Sequence, residues 1–249
     1  MKKDRIELIP VLISVFIWVL IYQTVSIIVK KPLLVPAVGD IIKAFAVLCG
    51  EAWYWNTVFF SVLRVIVGFT AAVVVGVVLA FASYFYKAVY HFFYPVLNVM
   101  RATPVASFII LSLLWLKSGY VPAFMSFLMV LPLIWGNILQ GLRETDNKLL
   151  EMAEVFEFSF SRKIKMIYIP QAMPFFRTAC VTGLGFAWKS GIAAEVISTP
   201  QFSIGKGIYE SKIYLETPEL FAWTLTVIVL SFMAEKAIKA IFSIADKSR

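Results

Sequence analysis

The chain has 249 residues, of which 61% are hydrophobic and 15% are charged, and its formal net charge is +8. A water-soluble domain has about 25% charged residues, so this composition excludes an ordinary soluble domain and indicates a chain embedded in a bilayer. The positive charges lie in short loops between apolar segments, where they orient a membrane protein and do not indicate a nucleic-acid partner.

Apolar segments long enough to cross a membrane recur along the whole chain. A span needs about 20 mostly apolar residues, and helices are expected because they satisfy their own backbone groups in lipid. The predicted spans cover residues 8–29, 57–83, 93–116, 121–141, 173–197 and 219–242. The first is too long for a signal peptide and is expected to be retained. The sequence thus predicts an all-α, polytopic membrane protein with one domain over residues 1–249.

Six spans place both termini on one side of the membrane. That side holds Lys2, Lys3, Arg5, Lys87, Arg143, Lys148, Arg162, Lys163, Lys165, Lys247 and Arg249, and the other side holds Lys30, Lys31, Lys43, Lys206 and Lys212. Because cytoplasmic loops carry the excess of Lys and Arg, the termini and the loop over residues 142–172 are predicted to be cytoplasmic.

The second and third spans contain two arginines and a candidate helix break. Arg64 and Arg101 fit a structural role, by snorkelling or by interhelical hydrogen bonds. Thr103-Pro104 begins two residues after Arg101 and is a candidate break that would turn backbone groups toward a pathway.

The loop over residues 142–172 combines charged and apolar side chains. Its charges alone fit a solvated helical hairpin as well as a docking surface. Val155, Phe156, Phe158 and Phe160 are too many apolar residues for a small solvated insert. Since exposed apolar patches mark partner surfaces, this loop is predicted to bind another protein.

Two ionisable residues in the fifth span are candidates for function, because a charge in lipid is costly. Lys189 and Glu195 are six residues apart and face different sides of an ideal helix, so they are not expected to pair. Glu195 is close enough to the outer end to reach water. Lys189 is deeper, and it fits either the anionic group of a substrate or a structural pair with a carboxylate. A substrate pathway lined by Trp188, Lys189 and Ser190 is predicted, with Glu195 and Arg101 as further candidates.

The stretch Gly183-Leu-Gly-Phe-Ala-Trp-Lys-Ser190 nearly matches a phosphate-binding loop. Trp188 takes the place of its second glycine, and no strand precedes it. We therefore expect no nucleotide site, no cofactor and no metal in this chain. With one histidine and no clustered carboxylates, catalysis has little support either.

Residues 151–170 resemble the cytoplasmic "EAA" loop of binding-protein-dependent ABC importer permeases. Its pattern is E-A-A, three residues, Gly, nine residues and I-x-L-P; the matching residues are Glu151, Ala153, Ile167, Ile169 and Pro170. Glu157 stands at the glycine position, where a left-handed turn joins two short helices. A Glu there costs roughly 1–2 kcal/mol. Either the turn is expected to be built differently or the docking helix is expected to extend.

Further stretches resemble the nitrate/sulfonate/taurine branch of these permeases. They are Leu34–Asp40 (L-P-S-P-x-x-V), Ser61–Phe69 (S-x-x-R-V-x-x-G-F), Met100–Pro104 (R-P-I-P) and Gly185–Glu195 (G-x-A-W…A-E). The resemblance implies the type I ABC importer permease fold in a bacterial plasma membrane. It also implies a subunit that forms the substrate pathway and has no ATPase site of its own.

In that family the loop docks onto an ATPase, so the resemblance assigns docking to Glu151, Ala153, Glu154, Phe156, Glu157 and Pro170. The implied partners are two ATPase subunits that carry ATP and magnesium, a second permease copy that is expected to be identical, and an extracytoplasmic binding protein. The solute is expected to be small and to include an anionic group.

Two alternatives stay open at this point. A secondary transporter or channel needs coupling-ion carboxylates, for which only Glu195 qualifies, and a non-transporting scaffold has no need of Lys189.

Overall fold

The computed structural model describes residues 8–247, which form helices joined by short turns, with no strand in this range. The helices are α1 (Leu8–Val29), α2 (Val38–Gly50), α3 (Ala52–Phe85), α4 (Lys87–Ala102), α5 (Val105–Ser112), α6 (Val121–Arg143), α7 (Asn147–Val155), α8 (Phe160–Lys163), a π-helical turn (Ile164–Tyr168), α9 (Ile169–Ser198), α10 (Ile204–Ile213) and α11 (Thr217–Lys247). Lys2, Lys3, Arg5 and Arg249, on which the charge argument partly rests, lie outside the described residues.

Three helices among residues 8–247 are both long and apolar enough to cross a membrane on their own, namely α1, α3 and α6. They contain the first, second and fourth predicted spans. The fifth and sixth predicted spans lie within α9 and α11, which have 30 and 31 residues. At 1.5 Å per residue each is about 45 Å long, which exceeds the roughly 30 Å of bilayer hydrocarbon.

The third predicted span is a bent pair of helices and not one continuous helix. α4 and α5 meet at an angle of 106° and qualify as a span only together. Thr103 between them has an extended backbone with φ −81° and ψ 133°. The residue before a proline avoids the helical region, and Pro104 has no N–H to continue the helix. The structure thus confirms the break at Thr103-Pro104.

Helix α6 is the centre of the bundle. It packs most extensively against α9 and α3, and 61% of its most apolar stretch is buried, compared with 28% for α3 and none for α1. The backbones approach closely where side chains are small. A Cβ on Gly68 of α3 would collide with the Ala123 carbonyl, and Ser126 Oγ donates to the Ala187 carbonyl at 2.9 Å. Small residues at helix contacts are the usual means of close packing in membranes.

Helix α1 is attached to the rest of the chain mainly near its C-terminal end. Tyr22 Oη donates to the Pro36 carbonyl, Ser26 Oγ donates to the Val35 carbonyl, and Gln23 Oε1 accepts from the Val38 N–H, each at 3.0 Å. These bonds tie α1 to the loop that leads into α2.

Candidate functional site at the two ends of helix α9

The docking loop begins with a well-capped helix. The Asp146 carboxylate accepts a hydrogen bond from the Lys148 N–H at 2.9 Å, which satisfies one of the free donors at the start of α7. At the other end the Glu157 N–H donates to the Glu154 carbonyl at 3.0 Å and the Phe158 N–H donates to the Ala153 carbonyl at 2.8 Å. This pair of bonds is a Schellman motif, which closes a helix with one left-handed residue.

Glu157 is that left-handed residue, with φ +50°. Both expectations for this position are therefore wrong: the turn is built in the usual way, and α7 does not extend through it. The glutamate itself adopts the backbone that glycine adopts most easily, at a cost of about 1–2 kcal/mol. Its side chain is exposed, so packing contacts do not offset this cost.

The second half of the loop is anchored on the end of α3. The Phe160 ring lies edge-on to Phe85 at 5.1 Å, and the Tyr168 ring contacts Phe85 and Tyr84, both at 5.4 Å. Ile167 is also buried. Edge-to-face aromatic pairs of this kind contribute about 0.5–1.5 kcal/mol each beyond the area that they bury. The turn from α8 into α9 is thus fixed to the transmembrane bundle.

The first half of the loop exposes apolar side chains, although it is part of a folded helix. Val155 is 80% exposed and Phe156 67% exposed, and Met152, one turn earlier, is also exposed. Together with exposed Glu151, these residues form what we call the docking face. Among the other predicted docking residues, Glu154, Glu157 and Pro170 are exposed and Ala153 is completely buried.

The opposite end of α9 holds a buried ionic cluster. Glu195 is completely buried, and its carboxylate accepts hydrogen bonds from Ser61 Oγ at 2.8 Å, from the Gly205 N–H at 3.1 Å and from Arg64 Nη1 at 3.2 Å. Gly205 is in the first turn of α10, where the helix dipole favours a negative charge. The carboxylate therefore joins α3, α9 and α10. We call Ser61, Arg64, Glu195 and Gly205 the outer clamp.

Arg64 also fixes the loop between α9 and α10. Its guanidinium donates to the carbonyls of Gln201 and Phe202, both at 2.9 Å. Thr199 and Phe202 in this loop have left-handed backbones, with φ 41° and 48°. Such residues persist where the surrounding structure holds them in place.

The outer clamp corrects one expectation and confirms another. Glu195 does not reach water, because the loop and α10 cover it. Arg64 has the interhelical hydrogen bonds that its structural interpretation predicts. The contact between these residues was not predicted from the sequence, although Ser61, Arg64 and Glu195 all belong to the two family-like motifs at 61–69 and 185–195. The signal in the sequence was that both motifs place polar or charged residues in an apolar span, where such residues need a partner from another helix.

Three of the five predicted pathway residues have their side chains inside the protomer. Trp188 is 3% exposed, and its Nε1 donates to the Val227 carbonyl of α11 at 3.0 Å. Ser190 is buried, and its Oγ donates to the Phe186 carbonyl at 2.8 Å. Glu195 belongs to the outer clamp. Within the protomer these three side chains are buried and hold helices together.

The other two predicted pathway residues are exposed cations. Lys189 is exposed on α9 and has no hydrogen-bond or ion-pair partner among the described residues. Arg101 Nη2 donates to the Pro132 carbonyl at 2.5 Å, and its guanidinium lies 5.9 Å from the Trp135 ring. Arg101 lines a groove of about 220 Å³ together with Phe186, which lies one turn before Lys189.

The near-match to a phosphate-binding loop lies entirely within the continuous helix α9. Its backbone N–H groups are committed to the helix, so this stretch forms no loop that could cradle a phosphate.

Comparison with known families fits this architecture. The pattern of the family described as "Binding-protein-dependent transport system inner membrane component" matches residues 72–241. The chain belongs to this family. The match begins in α3 and ends in α11, so it includes the docking loop and most of the bundle. Because this is a family of transport-system subunits, membership in it argues against both alternatives, the secondary transporter and the non-transporting scaffold.

The sequence of this permease is similar to those of several named transport proteins. A probable ABC transporter permease protein of Brucella melitensis is 22% identical over 226 residues, which cover 90% of this chain and 88% of that protein. The taurine transport system permease protein TauC of Escherichia coli is 21% identical over 237 residues, covering 93% and 84%. The nitrate import permease protein NrtB of Synechocystis is 28% identical over 143 residues, covering 56% and 51%.

A solved structure shares the fold. The permease resembles a chain of the inward-facing MetNI methionine ABC transporter, with a TM-score of 0.57 and 15% identity over 75% of this chain and 91% of that one. The type I importer permease fold predicted from the sequence is thus confirmed, and the chain is a transmembrane subunit of an ATP-driven ABC importer.

Proposed function

We propose that the docking face is the joint between this permease and a separate ATPase subunit, which binds ATP and magnesium. The observation that carries the proposal is the exposure of Val155 and Phe156 on a helix capped at both ends. A solvated helix gains nothing from an apolar face, whereas a partner that covers it gains about 25 cal/mol per Å² of buried apolar surface.

The loop is built to pass a displacement to the membrane helices. α7 leads through the Schellman turn to Phe160, which packs on the end of α3, and the π-helical turn continues into α9. Movement of the docking face is expected to shift α3 and α9 together as a rigid unit. In this proposal the partner supplies the energy and the permease supplies the moving pathway.

A charge placed on the docking face tests this joint. Phe156→Asp is expected to weaken copurification with the ATPase at least about thirtyfold, as for a central interface residue worth 2 kcal/mol. Leu33→Asp is the matched control, because Leu33 is 62% exposed but lies in the loop after α1, at the other end of the bundle. Equal ATPase binding by the two variants would exclude the docking face as the joint.

The proposed orientation puts both termini and residues 142–172 in the cytoplasm. The bias of Lys and Arg toward the predicted inner loops supports it. A cysteine placed at Ser161, which is exposed, should react with a membrane-impermeant reagent only after the membrane is opened. Labelling from outside in intact cells would overturn both the orientation and the docking role.

We propose further that two identical copies form the pathway, that a separate extracytoplasmic binding protein delivers the solute, and that the solute is a small anion. Lys189 and Arg101 are exposed on the bundle, and a lysine facing lipid near a helix centre is disfavoured by at least about 2.5–3.5 kcal/mol. A water-filled pathway between two copies removes this cost. The relatives named for taurine, aliphatic sulfonates, nitrate and bicarbonate import also support an anion.

The role of Lys189 is tested by changing its charge. Lys189→Met is expected to impair uptake while assembly and basal ATP hydrolysis stay intact, and Lys189→Arg is expected to retain most uptake. Lys212→Met, at an exposed position on α10, is the control for loss of one positive charge. Unchanged uptake kinetics in Lys189→Met would exclude the substrate role, and a loss of expression or thermal stability would indicate a structural role instead.

A further inference from the structure

A cavity of about 520 Å³ lies at the end of the bundle opposite to the docking loop. Its walls come from the start of α3, the loop after α9, one side of α10 and the start of α11. α9 separates it from the docking loop by about 45 Å, the length of 30 helical residues. The volume is within the range of small-molecule sites, about 300–1,000 Å³. We call it the outer cavity.

The outer cavity is acidic, although the protein as a whole is strongly basic. Glu210, Glu216 and Glu219 line it. Within residues 8–247, Lys206 is the one basic residue that lines it. Lys206 Nζ lies 3.5 Å from a Glu210 carboxylate oxygen, so these two charges offset each other. The carboxyl groups of Glu216 and Glu219 remain, and both residues line the cavity. Two carboxylates in one cavity are compatible when a proton or another cation lies between them.

Aromatic side chains form the rest of the wall. Trp53 is 46% exposed and Tyr214 71% exposed, and both line the cavity. Trp223 lies behind them, completely buried, and its Nε1 donates to Glu219 at 3.2 Å. An accessible indole or phenol face beside carboxylates is the combination that attracts an organic cation, because the ring face and the carboxylate are both negative.

The cavity has a rigid base, which it shares with the outer clamp. Gln201 and Phe202 line the cavity, and their carbonyls are the ones held by Arg64. Gly207 brings α10 so close to Trp223 that a Cβ there would lie 2.5 Å from the indole ring. A preformed wall loses little conformational entropy when it binds a ligand.

We propose that the outer cavity binds a free organic cation, with its ammonium head between the carboxylates of Glu216 and Glu219 and the ring of Trp53. A simple metal ion fits less well, because an indole ring offers it no ligand atom, whereas a methylated or primary ammonium contacts both the ring and the carboxylates. This site is distinct from the proposed solute pathway at Lys189, and its charge preference is the opposite one.

Choline is a suitable probe, with its neutral isostere 3,3-dimethylbutan-1-ol as the chemical control. We expect calorimetry to show that the full-length permease in lipid nanodiscs binds choline at one site per chain. Choline should bind at least about tenfold more tightly than the isostere, because a tenfold difference in affinity is about what one contact with a positive charge contributes. Glu216→Gln and Trp53→Leu should each weaken choline binding at least about fivefold. Both side chains are partly or largely exposed, so the fold should be retained.

Two variants serve as matched controls and should bind choline like the parent protein. Trp55→Leu removes a neighbouring indole that is 56% exposed but does not line the cavity, and Glu151→Gln removes a carboxylate at the other end of the bundle. No choline binding, equal binding of choline and the isostere, or undiminished binding by Glu216→Gln and Trp53→Leu would each overturn the proposal. The measurement needs no ATPase and no transport, so its result does not depend on the proposed docking function.

Discussion

The two ends of α9 show opposite relations between polarity and burial. At the C-terminal end a carboxylate, Glu195, is completely buried, whereas in the loop that leads into the N-terminal end Val155 and Phe156 are largely exposed. Charged residues are almost never fully buried unless they are paired, and large apolar residues are usually inside. Each inversion therefore has its own cause. The C-terminal end is complete within one chain, and in our proposal the N-terminal end is incomplete until a partner covers it.

The largest effect is expected from breaking the complete end. Arg64→Met leaves the Glu195 charge buried without its cation, which typically costs 3–5 kcal/mol. We expect a marked fall in thermal unfolding temperature in detergent. The double variant Arg64→Met/Glu195→Gln should recover part of this loss, since a neutral amide is cheaper to bury than a carboxylate. Lys212→Met, which removes an exposed charge, should leave stability nearly unchanged. A small effect of Arg64→Met would show that the outer clamp is not complete within the chain.

A smaller effect is expected from widening the contact between α9 and α10. A Cβ at Gly205 would collide with the Glu195 Cβ and with backbone atoms of Val196. Overpacking of this kind costs about 1–3 kcal/mol, so Gly205→Ala should lower thermal stability. Gly39→Ala is the matched control, because nothing lies within 4 Å of the added methyl group. In helix α2 that change should be neutral or stabilising by up to about 1 kcal/mol. If both variants were equally stable, α10 would have to be less firmly held than the outer clamp implies.

The smallest effect is at the incomplete end and has the opposite sign. Glu157→Gly relieves the left-handed backbone and should stabilise the docking loop by about 1 kcal/mol, without loss of ATPase binding. Glu154→Gly, three residues earlier within α7, should destabilise it by a similar amount, because glycine is unfavourable inside a helix. Hydrogen exchange of the α7 amides measures both. Faster exchange in Glu157→Gly would contradict the strain assigned to this residue.

The bundle was largely predictable from the sequence, because span length and hydropathy depend on local composition. The break before Pro104 was predictable for the same reason, since proline acts on its immediate neighbours. The outer clamp was not, because Ser61 and Arg64 lie 134 and 131 positions from Glu195, and helical periodicity does not say which helices meet. The burial of Trp188 and Ser190 was not predictable either, because their position in a span does not reveal which face is covered by α6 or α11.

Glu157 illustrates a different limit. The sequence showed that a glycine position was occupied by glutamate and predicted a cost for a left-handed backbone there. It could not show that two Schellman hydrogen bonds and the anchoring of Phe160 on Phe85 would hold the turn in spite of this cost. Local preference was outweighed by contacts with α3, which only the fold reveals.

The isolation of α1 has a consequence for how the protein is made. No part of its most apolar stretch is buried, and three hydrogen bonds near its C-terminal end tie it to the following loop. Lipid therefore solvates this helix about as well as protein would, so it can enter the membrane before the later helices and stay there without them. The bundle around α6, in contrast, can assemble only after α9 has been synthesised. During this interval α1 anchors the nascent chain in the membrane.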